Sequence, residues 1–285
     1  MTLEQFFTRH TAAAVAFSGG VDSAYLLWAA RHFGCAVRAY YLKTAFQPAF
    51  ELADARRLTE ELDIPLTVVE LDVQTVPEAV ANGPERCYYC KKALFTALRR
   101  RAAEDGYTLL LDGTNASDSG ADRPGMRALA ELEVRSPLRE CGLTKAEVRR
   151  RSKEAGLFTW DKPAYACLAT RVPTGQPITM EDLERVERGE AALFRLGFTD
   201  FRVRLMGDAA RIQVPEGQLA RAAALHTDIT AALAADFHGV LLDLYPRGEE
   251  LPYGQSTGTA GFAAPGGTGG SNAGEGTAGV QDPAL

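Results

Sequence analysis

The chain has 285 residues, 46% of them apolar, and a formal net charge of −6, which suits one large or two modest domains with real cores. No apolar run approaches the roughly 18 residues of a membrane span, and Met1–Gln5 lacks the layout of a secretory leader, so a cytoplasmic protein is expected. The acidic balance argues against nucleic acid as the main partner.

In chain order, Ala13–Phe17 is a strand candidate followed at once by Ser18-Gly19-Gly20, and Ser23–Phe33 reads as a helix. Ala36–Leu42 is a second strand. Pro48–Leu62 is helical, with Leu52, Ala55, Leu58 and Leu62 on one face. Leu66–Leu71 is a third strand, Lys91–Glu104 a helix with basic residues on its outer side, and Tyr107–Asp112 a fourth strand. Thr144–Ala155 is a helix with Thr144 as N-cap, Glu147 three residues on in a capping-box pattern, and Gly156 as its stop. Strands alternating with helices predict an α/β, Rossmann-like parallel sheet covered on both faces. Ligands bind such sheets at the carboxyl ends of the strands, so the loops after Phe17, Leu42, Leu71 and Asp112 form the expected rim.

Residues 1–175 are assigned to this domain. Residues 176–251 read as a smaller α+β domain for substrate contact or oligomerisation. It holds a Thr179–Leu196 helix, short strands Phe201–Leu205 and Arg211–Val214 around a Gly207-Asp208 turn, a Pro215–Ala235 helix and a Gly239–Leu244 strand. Residues 252–285 are rich in Gly, Thr, Ala and Ser and are expected to be disordered.

Ser18-Gly19-Gly20-Val21-Asp22-Ser23 is the strongest local signal. The glycines let the backbone approach an anion, and the helix that follows presents free N–H groups and its positive dipole end. Ser18 and Ser23 add hydroxyl donors. The string lacks the lysine of a Walker A loop. It resembles the PP-loop of the adenine-nucleotide α-hydrolase superfamily, whose members split ATP between the α- and β-phosphates to adenylate a substrate oxygen. That resemblance implies ATP and Mg²⁺ as cofactors, with Asp22 helping to place the metal or the phosphates.

Further motifs follow: Leu111–Asp118, Arg123-Pro124-Gly125, Val134–Leu138, Gly142–Lys145 and Trp160–Arg171. In this order, over about residues 10–245, they resemble the LarE family, most specifically in Trp160–Arg171. Members are ATP-dependent sulfur transferases acting on pyridinium-3,5-biscarboxylic acid mononucleotide, a precursor of a nickel-pincer cofactor. The resemblance implies adenylation of a ring carboxylate and displacement of AMP by sulfur, giving a thiocarboxylate. In its best-known members the sulfur comes from a sacrificed cysteine, matched here by Cys167. A thiol between Lys162 and Arg171 also suits a nucleophile, because nearby cations lower its pKa. Guanidinium groups match carboxylate and phosphate, so Arg123, Arg127, Arg135 and Arg171 are candidate substrate contacts, with Asp118 beside them. Arg202 and Arg204, on one face of a strand, are further candidates, and the resemblance suggests that they reach substrate phosphate across a subunit interface of a homo-oligomer. Glu190 is a further possible polar contact.

The five cysteines, an odd number, suit reduced thiols, ligands or catalysis better than a disulfide framework. Cys87 and Cys90 form a C-x-x-C at a predicted helix start, and with Cys167 they make three possible thiolate ligands. One LarE subgroup carries this trio with a [4Fe–4S] cluster whose open iron bears the transferred sulfide, which implies a sulfide or sulfur-carrier donor. A redox pair, half of a zinc site and an incidental pair remain open, as do a tRNA-thiolating PP-loop enzyme, an ammonia-dependent amide synthetase and a non-catalytic nucleotide sensor. Gln213, where the family pattern leads one to expect Glu, weakens any metal site there, and Tyr245–Glu249 also departs from that pattern.

Overall fold

A computed structural model of the chain describes residues 1–118 and 124–247. Arg123 and the tail from 252 to 285 lie outside the described residues. Helix α1 (Leu3–Arg9) opens the chain. Thr2 and Gln5 form a reciprocal capping box, and Phe6 and Phe7 are buried, an anchor of about 2 kcal/mol for each ring. Then follow β1 (Ala12–Phe17), α2 (Val21–His32), β2 (Ala36–Lys43), α3 (Ala49–Glu61), β3 (Leu66–Glu70), the single turn α4 (Pro77–Val80), α5 (Arg86–Glu104) and β4 (Leu110–Leu111). Helices α6 (Pro124–Glu131), α7 (Pro137–Glu140) and α8 (Lys145–Glu154) complete this half.

Its strands pair in parallel in the order β3-β2-β1-β4, the α/β architecture expected from the alternation of elements. The apolar β1, Ala-Ala-Ala-Val-Ala-Phe, sits inside the sheet with Ala13, Ala14 and Val15 fully buried, as a strand covered on both faces requires. β4 is two residues long rather than the six expected, and Arg135 extends its edge by exchanging backbone hydrogen bonds with Leu110 and Asp112. The Thr144 cap is present: its hydroxyl accepts from the Glu147 N–H, and Gly156 follows α8 with φ +73°.

The second part contains α9 (Met180–Arg195), β5 (Arg202–Met206), β6 (Ala209–Gln213), α10 (Glu216–Ala224), α11 (His226–Leu233) and β7 (Gly239–Leu242). β5 and β6 form an antiparallel hairpin around Gly207-Asp208, and β7 returns parallel to β6. The single helix read over Pro215–Ala235 is two helices, meeting at Leu225. The core beneath this sheet also takes in Phe46, Val73 and Ala79 from the first half, together with Leu168 and Ala169. The segment carrying Cys167 therefore lies where the two parts meet. Among the described residues no helix is long and apolar enough to cross a membrane.

Candidate active site

A cavity of about 480 Å³ opens at the carboxyl ends of β1 and β2. Its floor is the turn from β1 to α2. Gly19 takes φ +73°, and a Cβ there would sit 3.1 Å from the Glu51 carbonyl oxygen, so the turn lies directly on the first turn of α3. Ser23 closes the loop: its Oγ donates to the Gly20 carbonyl (3.2 Å), accepts from the Ser18 N–H (3.3 Å) and meets Ser18 Oγ (3.2 Å). Gly20, the N-cap of α2, brings no side-chain oxygen to the first N–H groups of that helix. Those groups and the dipole behind them suit a phosphate. Gly113, after β4, presses against this helix start, and a Cβ on it would lie 2.8 Å from the Ser23 nitrogen.

The same cavity is lined by all three cysteines read as a trio, Cys87, Cys90 and Cys167. Cys87 and Cys90 lie within the first five residues of α5, and Cys167 precedes a short 3₁₀ turn, Leu168–Arg171. Asn82 and Arg86 tie the two segments together. Asn82 donates to the Pro173 and Gln176 carbonyls (both 2.9 Å), and Arg86 donates to Asn82 and to the Ala169 carbonyl (3.0 Å). Burial pushes the Cys90 thiol up to about 12, with Cys167 and Cys87 adding to the rise. Burial also raises Cys167, against the opposing pull of Arg86 and Arg171. The lowered thiol expected from neighbouring cations is thus reversed, because removal from water outweighs both guanidinium groups.

Lys162 reaches back to the Ser18–Ser23 loop, donating to the Gly19 carbonyl (3.1 Å) and to Asp54 Oδ2 (2.7 Å). Lys145 enters the cavity from the start of α8 and pairs with Asp22, whose other oxygen accepts from Asn115 Nδ2 at 3.2 Å. Glu51 also lines the cavity, and burial lifts its carboxyl from 4.5 to about 7, with Lys162 and Arg171 pulling the other way. A second cavity of about 670 Å³ shares Lys162, Pro163 and Tyr165 with the first and is bounded by Phe50, Phe194, Phe201 and Arg202.

No family model matches the chain. A curated protein of Lactiplantibacillus plantarum, pyridinium-3,5-bisthiocarboxylic acid mononucleotide synthase, is 33% identical over 233 residues, 81% of this chain and 84% of that protein. The chain belongs to the LarE family. Uncharacterized relatives occur in Synechocystis, 39% identical over 76% of this chain and 81% of the relative, and in Methanocaldococcus jannaschii, 30% identical over 71% and 77%.

Against this family background the sequence-read residues divide. Ser18, Gly20, Val21, Asp22, Ser23, Asp118 and the three cysteines line one cavity, and Gly19 forms the turn beneath it. Arg135 is elsewhere, paired with Glu140 beside His10 and the Phe6 ring. Arg127 pairs with Glu85 and lies over the Tyr88 ring. The Arg171 side chain is fully buried on Glu190 and donates through Nη1 to the Ala166 (2.7 Å) and Cys167 (3.1 Å) carbonyls, so it holds the cysteine backbone rather than facing the cavity. Arg202 donates to the Ala164 carbonyl and Arg204 to that of Thr170, both at 2.6 Å. Arg202 also lines the second cavity. Gln213 accepts from Arg204 and donates to Asp243 (2.8 Å), filling with an amide the place where a carboxylate was expected. Glu51 was not singled out from sequence, and Arg86 and Lys145 stood only within quoted motifs, with no role of their own.

Proposed function

We propose that the chain is an ATP-dependent sulfur transferase that converts a carboxylate of pyridinium-3,5-biscarboxylic acid mononucleotide to a thiocarboxylate. The observation that carries the reading is the placement of Cys167 and the Ser18–Ser23 loop on one cavity. The N–H groups of Val21, Asp22 and Ser23 and the Ser18 hydroxyl would hold the pyrophosphate end of ATP, with Mg²⁺ bound alongside Asp22. A substrate carboxylate oxygen attacks the α-phosphorus, the bond to pyrophosphate breaks, and an acyl adenylate remains. The Cys167 sulfur, losing its proton, attacks the acyl carbon, and AMP leaves. Loss of the Cys167 Cα proton with cleavage of its Cβ–S bond then frees the thiocarboxylate and leaves dehydroalanine.

The trio supports a second sulfur source. Three thiols on one cavity, with Cys87 adding to the rise at both Cys90 and Cys167, are the donor type that iron–sulfur clusters take. Among the described residues no three His, Cys, Asp or Glu converge into a metal-ligand group, so a cluster requires Cys87, Cys90 and Cys167 to turn toward one point. When bound there, a [4Fe–4S] cluster would supply sulfide at the iron without a protein thiolate and spare the cysteine, drawing on a sulfide or sulfur-carrier donor. Arg202, buried in the lining of the second cavity, is the substrate arginine this reading favours. Exposed Met206, Leu241, Leu244 and Tyr245 around the small sheet support self-association.

The test is an anaerobic assay with ATP, Mg²⁺ and the biscarboxylate nucleotide, reading AMP, thiocarboxylate and the protein mass. A loss of about 34 Da, one H₂S, marks a consumed cysteine, whereas unchanged mass with iron and sulfide in the protein marks the cluster route. Absence of both AMP and thiocarboxylate refutes the reading.

A further inference from the structure

Lys145 is the first residue of α8, where the helix dipole disfavours a cation. Its ammonium nevertheless turns into the nucleotide cavity and pairs with Asp22, in the first turn of α2. The backbone fixes this placement. The Lys145 N–H donates to Ser117 Oγ (2.9 Å), Thr144 caps the helix, the Ala116 N–H donates to the Leu143 carbonyl (2.7 Å), and α8 packs along α2. A cation is thus delivered to the mouth of the Ser18–Ser23 loop by an element remote in sequence.

The chemistry of the site calls for such a cation. Pyrophosphate is a highly charged leaving group, and the loop offers it N–H groups, hydroxyls and one carboxylate, Asp22, of the wrong sign. Pairing with Lys145 offsets that carboxylate while the site awaits its ligand. Resting on the ATP reading above, we propose that Lys145 grips the β- and γ-phosphates, its ammonium passing from Asp22 to phosphate oxygens when the nucleotide binds. Asp22 is then released toward the cation that accompanies the nucleotide, and Lys145 neutralises the pyrophosphate as it departs. The lysine missing from the loop is supplied by α8.

Binding of ATP, AMP and inorganic pyrophosphate, each with Mg²⁺, to the full chain tests this by titration calorimetry, without the biscarboxylate substrate. Lys145→Met should weaken ATP and pyrophosphate about ten- to hundredfold, the loss of one charge-assisted contact, and leave AMP within about twofold. Lys145→Arg should retain most of the affinity for all three. A tether holding α2 to α8 and doing nothing more would lower AMP as much as ATP, and that result overturns the proposal, as does unchanged pyrophosphate affinity. Melting curves establish that each variant folds, and Lys145→Gln replaces the methionine variant if that one does not. A wild-type chain that binds neither ATP nor pyrophosphate removes the nucleotide reading itself, an outcome separate from any difference among variants.

Discussion

Replacing Glu190 by Ala removes the centre of the buried network beneath Cys167. Glu190 is 2% exposed and accepts from Arg171 Nε (2.8 Å) and Nη2 (3.0 Å), from the Val203 N–H (3.0 Å) and from the Tyr165 hydroxyl. Burial pushes the Glu190 carboxyl up and the Arg171 guanidinium down, so each partner depends on the other to stay charged. Glu190→Ala strands a guanidinium whose side chain is fully buried, a cost of about 3–5 kcal/mol, with about 1 kcal/mol more for the Val203 N–H. With a urea slope of about 1–3 kcal/mol/M, the midpoint should fall by more than about 1 M. Glu190→Gln, which keeps the shape and part of the hydrogen bonding, should lose about half as much. Arg171 also holds the Cys167 carbonyl, so thiocarboxylate formation should fall further than substrate-dependent pyrophosphate release. A Glu190→Ala midpoint within about 0.2 M of wild type would refute the reasoning.

Gly113→Ala should weaken ATP binding by at least tenfold, because its Cβ would press on the Ser23 nitrogen at 2.8 Å and on backbone atoms of Asp22 and Ser23 at 3.1–3.2 Å; calorimetric titration reads the loss. Lys162→Met should cost about tenfold in ATP affinity by freeing the Gly19 carbonyl, with partial recovery in Lys162→Arg, read the same way. Glu51 carries a pH signature. Its folded pKa, about 7, lies above its ordinary 4.5, so the unfolded chain releases this proton first. Stability linked to it is intact below about pH 4.5, is lost as pH rises to about 7, and changes no further above that. Urea midpoints at pH 5 and pH 8 should therefore show Glu51→Gln gaining on wild type by at most about 3 kcal/mol.

Where one contiguous string both builds and uses a feature, the sequence is enough to find it. Ser18–Ser23 carries its strand, its turn glycines and its helix start together, and Thr144 with Glu147 marks the start of α8. Thr2 and Gln5 spell the same signal for α1 in a stretch read only for its polarity. The C-x-x-C spacing marked Cys87 and Cys90 and the family resemblance marked Cys167, and all three line one cavity. The arginines were not legible, since a guanidinium serves carboxylate, phosphate and backbone carbonyl alike. Burial decides among those roles: it turns Arg171 inward onto Glu190 and leaves Arg135 with Glu140. Lys145 and Asp22 lie 123 residues apart in the chain, and no local pattern links them.

The arginines around Cys167 share one role that explains their number. Outside its short 3₁₀ turn, the segment from 160 to 171 lacks regular structure, so its carbonyls need donors from elsewhere. Arg149 donates to Trp160 and Lys162, Arg202 and Arg247 to Ala164, Arg171 to Ala166 and Cys167, Arg86 to Ala169, and Arg204 to Thr170. Each grips main chain, and none of these bonds involves the Cys167 sulfur. The segment is therefore held in place whether that sulfur is free, bound in a cluster or given up to the substrate. A cage of guanidinium groups on backbone oxygens is a scaffold indifferent to what that side chain carries. The cost is that burial, and after it the repulsion of neighbouring guanidinium groups, drives Arg171, Arg202 and Arg204 downward in pKa. Glu190, set among them, is the carboxylate that makes the crowd tolerable.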